Sequence, residues 1–96
     1  MIDDHKTAYD LQGEHARSAY KLLAGLIVPR PIAWITTLDE DGSVNAAPYS
    51  FFNVFGTRPP LVAFAPGNKD GGEPKDTARN IRRTGEFVIN LVDESV

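Results

Sequence analysis

The tripeptide Pro29-Arg30-Pro31 restricts the fold of this chain more than any other short stretch. Each proline ring removes a backbone donor and pushes the preceding residue toward extended geometry, so no helix passes through it and the chain reaches Ile32 extended. Ile32 to Leu38 is rich in β-branched and aromatic residues. This predicts a strand with Ile32, Trp34, Thr36 and Leu38 on one face and Ala33, Ile35 and Thr37 on the other. Both faces are largely apolar, so the strand is expected to be covered on two sides. Asp39-Glu40-Asp41-Gly42 reads as a turn closed by a positive φ at Gly42, and Ser43 to Ala47 as the returning arm of a hairpin, ended by Pro48.

Tyr49 to Phe55 follows as a non-repetitive segment, with aromatic residues set around Ser50 and Asn53. Pro59-Pro60 leads rigidly into a third strand, Leu61 to Ala65. Pro66 to Pro74 holds three glycines and two prolines in nine positions and is a loop. Asp76 or Thr77 is placed to cap a helix running to about Thr84, with Ala78 and Ile81 on one side and Gly85 as its terminating glycine. Glu86 to Val92 alternates as a fourth strand. Upstream, Tyr20, Leu22, Leu23 and Leu26 fit a short helical turn capped by Ser18 and stopped by Gly25. Residues 1–17 are polar and without sustained periodicity, and are expected to be a mobile or loosely docked leader to one domain portion spanning 18–96.

Four strands, one hairpin and an intervening helix point to a mainly β architecture, a β-barrel with helical additions. Closing a barrel takes more strands than these, so the chain is expected to supply the N-terminal part of a barrel or to borrow strands from another chain. At 96 residues and 42% hydrophobic content it is one domain at most. Cysteine is absent, which removes disulfides, thiolate metal sites and a cysteine nucleophile and leaves any redox chemistry to a bound cofactor. A net charge of -3 and a pI near 5.2 give no basic field for nucleic acid. No apolar run approaches a membrane span, and a cytoplasmic location without membrane partners is the expectation.

The order of five blocks carries a resemblance. Pro29-Arg30-Pro31-Ile32-Ala33-Trp34 precedes Asn45-Ala46-Ala47-Pro48-Tyr49-Ser50-Phe51-Phe52-Asn53. Then come Arg58-Pro59-Pro60-Leu61-Val62, Lys75-Asp76-Thr77 with Asn80-Ile81, and Gly85-Glu86-Phe87-Val88-Ile89-Asn90-Leu91. Together they resemble the flavin reductase-like family of FMN-binding split-barrel proteins, in its flavoredoxin-like branch. The resemblance implies a Greek-key split barrel, a homodimer, and FMN lying in a groove at the dimer interface. It further implies a flavoprotein oxidoreductase that takes hydride from NADH or NADPH and passes electrons to a free flavin, a partner protein or a small acceptor. A carrier that never oxidises a nicotinamide, or a half-barrel that binds no flavin, stays open as an alternative.

FMN needs an anion site for its phosphate and a flat, partly apolar slot for its ring. Lys75, Thr77 and the bare amides of a helix start suit the phosphate, while Asp76 is expected to cap the helix or pair with Arg79. Arg30, held between two prolines, is a further candidate for anion contact, ahead of Arg79 and Arg82; a surface ion pair is its plainer role. In the family the segment matching Ser50, Phe51 and Asn53 lines the flavin ring, and Trp34 is placed to border it; the plainer reading makes Trp34 and at least Phe52 packing residues. His5 and His15 lack a third clustered ligand, so no metal site is expected, and the residues single out no catalytic acid or base.

Overall fold

The computed structural model describes residues 6–69 and 71–93. Helix α1 spans Ala19–Leu26 behind a single 3-10 turn at Ala16–Ser18. Strands β1 (Ala33–Leu38) and β2 (Val44–Tyr49) form the expected hairpin, and Gly42 turns with φ 86°. Strands β3 (Phe52–Thr57) and β4 (Pro60–Phe64) form a second hairpin, followed by α2 (Asp76–Thr84) and β5 (Val88–Leu91). The strands build two antiparallel sheets, one ordered β2-β1-β5 and one pairing β3 with β4. The architecture is mainly β, a partial barrel with two short helices.

Several local expectations are corrected. Pro48 does not end its strand but pairs with Trp34 inside β2; β2 is an edge strand, where the missing N–H breaks no ladder bond. The segment after Tyr49 is β3, because Phe52 to Thr57 pairs with β4 around the tight Arg58-Pro59 turn. Its register shifts between Val54 and Gly56, and this irregularity hides the alternation in the sequence. Gly25 lies within α1, and Ser18 stands at the N-cap position without a side-chain bond. Gly85 does terminate α2, with φ 74° and its amide donating to the Ile81 carbonyl.

The core is small: Ala33, Ile35 and Tyr49 are buried, with Ala47, Phe52, Phe64 and Ile89 packed around them. Ala33, Ile35 and Thr37 face inward under α2, whereas Trp34 and Leu38 on the opposite face are 38% and 43% exposed. Thus β1 is covered on one side, not two. A Cα radius of gyration of 16.9 Å, against about 13 Å for a compact 100-residue domain, fits an open arrangement. In the β1–β2 turn the Ser43 hydroxyl, then its amide, holds the Asp41 carboxyl below its ordinary value.

Candidate functional site

Two groups of residues stand out, one apolar and one polar. The apolar group surrounds the bend between β2 and β3. A cavity of about 530 Å³ opens there, lined by Leu23 of α1 and Ile27 just behind it, by Arg30, by Ser50, Phe51 and Asn53, and by Phe55, Phe64 and neighbouring residues of the second sheet. Its size lies within the range of small-molecule sites.

Arg30 organises this cavity. Its Nη1 donates to the carbonyls of Ala24 and Ile27 at 2.6 and 2.7 Å, and Nε donates to Ser50 Oγ at 3.4 Å. The guanidinium carbon lies 5.2 Å from the Phe51 ring centre, while Tyr20 stacks on Phe51 at 5.7 Å. The fixed fork of donors therefore meets the last carbonyls of α1, where the helix dipole favours a cation, and ties that helix to the bend. Asn53 sits at the cavity edge, its Oδ1 accepting the Val54 amide at 2.7 Å.

The polar group surrounds the start of α2. Lys75 is exposed at the N-cap position with extended backbone (ψ 161°), and its ammonium lies over Gly67, 4.0 Å from where a Cβ on that glycine would stand. Neither Asp76 nor Thr77 occupies the N-cap position, and no side chain caps the helix. Amides in a first turn have no intrahelical acceptor and point out along the axis. Asp76 pairs with Lys69 at 3.6 Å and with Arg79 at 3.7 Å. All three side chains are about half exposed, so each pair contributes about 0–1 kcal/mol. Thr77 is 1% exposed, and its Oγ1 accepts the Asn45 amide at 3.1 Å.

One turn on, Asn80 is 3% exposed. Its Nδ2 donates to Thr37 Oγ1 at 3.0 Å and to Asp39 Oδ1 at 2.9 Å, and its Oδ1 accepts from Arg83 at 3.3 Å. Arg83 also donates to the Leu38 carbonyl. Every buried polar side-chain atom among the described residues has a partner. Stripping one partner from such a set costs roughly 1–3 kcal/mol.

The structure thus brings Arg30, Ser50, Phe51 and Asn53 to one cavity, and Lys75, Asp76 and Thr77 to one helix start. Asn45, which holds Thr77, is five residues upstream of Ser50, a strand length of roughly 16 Å. Trp34 lies outside the cavity lining, on the face of β1 turned away from α2. The residues that sequence reasoning passed over are Asn45, Asn80, Thr37 and Tyr20. The available signal was the i, i+3 spacing of Thr77 and Asn80, which puts two small polar groups on one helix face. His15 meets Tyr9 edge-on and lies 3.9 Å from Glu14; His5 is outside the described residues.

A two-sheet partial barrel that carries a lysine at an uncapped helix start and, apart from it, an apolar, aromatic cavity defines the class of architecture. Comparison with known proteins narrows the class. The family described as Flavin reductase like domain matches residues 25–96, and the chain belongs to it. An uncharacterized protein from Halalkalibacterium halodurans is 55% identical over 75 residues, 78% of this chain and 36% of its own. The uncharacterized protein YwrF of Bacillus subtilis is 51% identical over 81 residues, 84% and 39% of the two chains.

Among solved structures, nitrilotriacetate monooxygenase component B from Bacillus cereus superposes with a TM-score of 0.80 at 40% identity, covering 97% of this chain and 46% of that one. The 2-nitrobenzoate 2-nitroreductase NbaA of Pseudomonas fluorescens does so with a TM-score of 0.72 at 43% identity, covering 93% and 42%. The chain spans less than half the length of these relatives. Among the described residues no helix is long and apolar enough to cross a membrane.

Proposed function

We propose that this chain is the FMN-binding portion of a flavoprotein oxidoreductase, with residues 18–96 forming one part of a single split-barrel domain. The observation that carries the reading is the pairing of two chemistries along one stretch of chain: Asn45 of β2 holds the helix start beside an exposed lysine, and Ser50, five residues further on, lines an apolar, aromatic cavity. FMN is elongated in the same sense, with its charge at one end and its flat ring at the other. Lys75 and the first-turn amides of α2 would hold the phosphate, since bare N–H groups and the positive dipole end favour a dianion. Thr77, buried against Asn45, would seat that turn on β2.

At the other end, Phe51 would cover part of the ring, while Ser50 and Asn53 offer polar groups to its edge. Arg30, bound to α1 carbonyls and to Ser50, would shape this end instead of meeting the phosphate. The chemistry that FMN supplies when bound is acceptance of hydride from NADH or NADPH and onward transfer of electrons. The protein's own contribution is to orient the ligand and keep water from part of it. The exposed apolar face bearing Trp34, Leu38, Val44 and Val88 supports pairing with a second copy, through which Trp34 would reach a ring.

The test is a titration of the purified protein with FMN and with riboflavin, read by flavin fluorescence. Tight FMN binding with a marked loss for riboflavin is expected. Equal affinity for the two would remove the phosphate site, and no binding of either would leave a structural half-barrel. Mixing the FMN-loaded protein with NADH or NADPH without oxygen separates the reductase, which bleaches, from a carrier, which stays yellow.

A further inference from the structure

The face by which α2 meets the sheet is polar, and this sets the helix apart from its surroundings. Its two buried residues are Thr77 and Asn80, while the apolar Ala78 and Ile81 are only partly covered. Apolar contacts hold a helix against a sheet but tolerate rotation about its axis, because they have no direction. Hydrogen bonds are directional and weaken steeply when bent. The azimuth of α2 is therefore fixed mainly by Asn45 to Thr77 at 3.1 Å and by Asn80 to Thr37 and Asp39 at 3.0 and 2.9 Å.

Asn80 is the better placed of the two. Both hydrogens of its amide nitrogen are used, on two different residues, and its oxygen is engaged by Arg83. Asp39 is itself held in the β1–β2 turn, its Oδ2 accepting from the Ser43 hydroxyl at 3.1 Å. Rotating α2 by even a fraction of a turn breaks all of these contacts together. It also swings the first-turn amides and Lys75, which sit one helical turn away.

We propose that Asn80 is a positioning residue that fixes the azimuth of α2, so that its amides and Lys75 address one point, and thereby sets the discrimination between phosphorylated and unphosphorylated flavin. This rests on the phosphate reading above. Asn80 touches no ligand itself; it acts through the helix backbone, and its removal leaves the cavity at the bend intact. Discrimination thus depends on a side chain aimed away from the ligand.

The experiment measures FMN and riboflavin affinities for the purified protein and its variants. Asn80→Ala is expected to lower the FMN-to-riboflavin affinity ratio about tenfold or more, since small misplacements of charge-assisted donors are costly. Riboflavin affinity should stay within about twofold. Asp39→Asn, which keeps the accepting oxygen, should preserve the ratio. Where Asn80→Ala fails to fold, Thr37→Val removes one acceptor at constant shape and should lower the ratio in the same direction. A variant that loses affinity for both flavins equally, or keeps the parent ratio, overturns the positioning role. A parent protein with no preference for FMN overturns the phosphate reading and this proposal with it.

Discussion

The bend after β2 and the start of α2 are built on opposite principles. At the bend, Phe51 packs between Tyr20 and the Arg30 guanidinium beside an apolar cavity, and its contacts are broad and weakly directional. At the helix start, small polar groups on Asn45, Thr77, Thr37, Asp39 and Asn80 meet at 2.9–3.1 Å. Broad contacts adapt to a changed side chain, while a closed hydrogen-bond set does not. One of the two regions is thus tolerant of substitution and the other exacting.

The widest separation of the two ends should come from Lys75→Glu. Reversing the charge at the helix start is expected to weaken FMN binding by about 2–4 kcal/mol, roughly 30-fold to several hundred-fold, while riboflavin binding stays nearly unchanged. Fluorescence titration of both ligands checks it, and an equal loss for both would merge the two ends into one. Next is stability. Asn80→Ala should cost about 2–3 kcal/mol in urea unfolding, because Thr37, Asp39 and Arg83 lose a shared buried partner. Phe51→Leu should cost about 1–1.5 kcal/mol, the aromatic and cation–π share of an adaptable contact. A reversal of that order would break the comparison.

Arg30→Lys is a finer probe. It keeps the cation but loses the fork that reaches Ala24, Ile27 and Ser50 together, and about 1 kcal/mol of stability should go with it. FMN affinity should change less than for Lys75→Glu; an equal drop would place Arg30 on the phosphate. The smallest effect concerns acid. The folded-state carboxyl of Asp41 titrates below its unfolded value. Its contribution is therefore complete above the ordinary carboxylate range and lost only as pH falls through the lowered value. The stability difference between the parent and Asp41→Asn should stay constant from neutral to mildly acidic pH and shrink as pH falls below the ordinary carboxylate range, as thermal melts of both would show.

Much of the frame was legible because its signals are local. The β1–β2 turn needed a positive φ at one position and found Gly42 there, and Gly85 played the same part behind α2. The second hairpin was not legible, because the shift between Val54 and Gly56 breaks the period of two on which a strand is recognised. Pro48 misled for a different reason. A proline ends a central strand but is tolerated at an edge, and edge position depends on which strands pair.

The residues of the candidate site were read by chemical type, and type says nothing of direction. Thr77 and Arg30 carry the groups a phosphate would accept, yet one faces Asn45 and the other the carbonyls of α1. Asn80 was visible only as part of a block, since a polar residue on a helix surface normally faces water. Only tertiary placement turns it inward.

The position of Pro48 bears on how this sheet can be enlarged. The outer row of β2 is interrupted by a residue that has no hydrogen to offer, so that border is a poor template for another strand. The opposite border, β5, carries no proline and leaves Leu91 79% exposed. The two borders of the three-stranded sheet are therefore unequal: a strand added beside β5 would meet an unbroken row of donors, and one added beside β2 would meet a gap at Pro48.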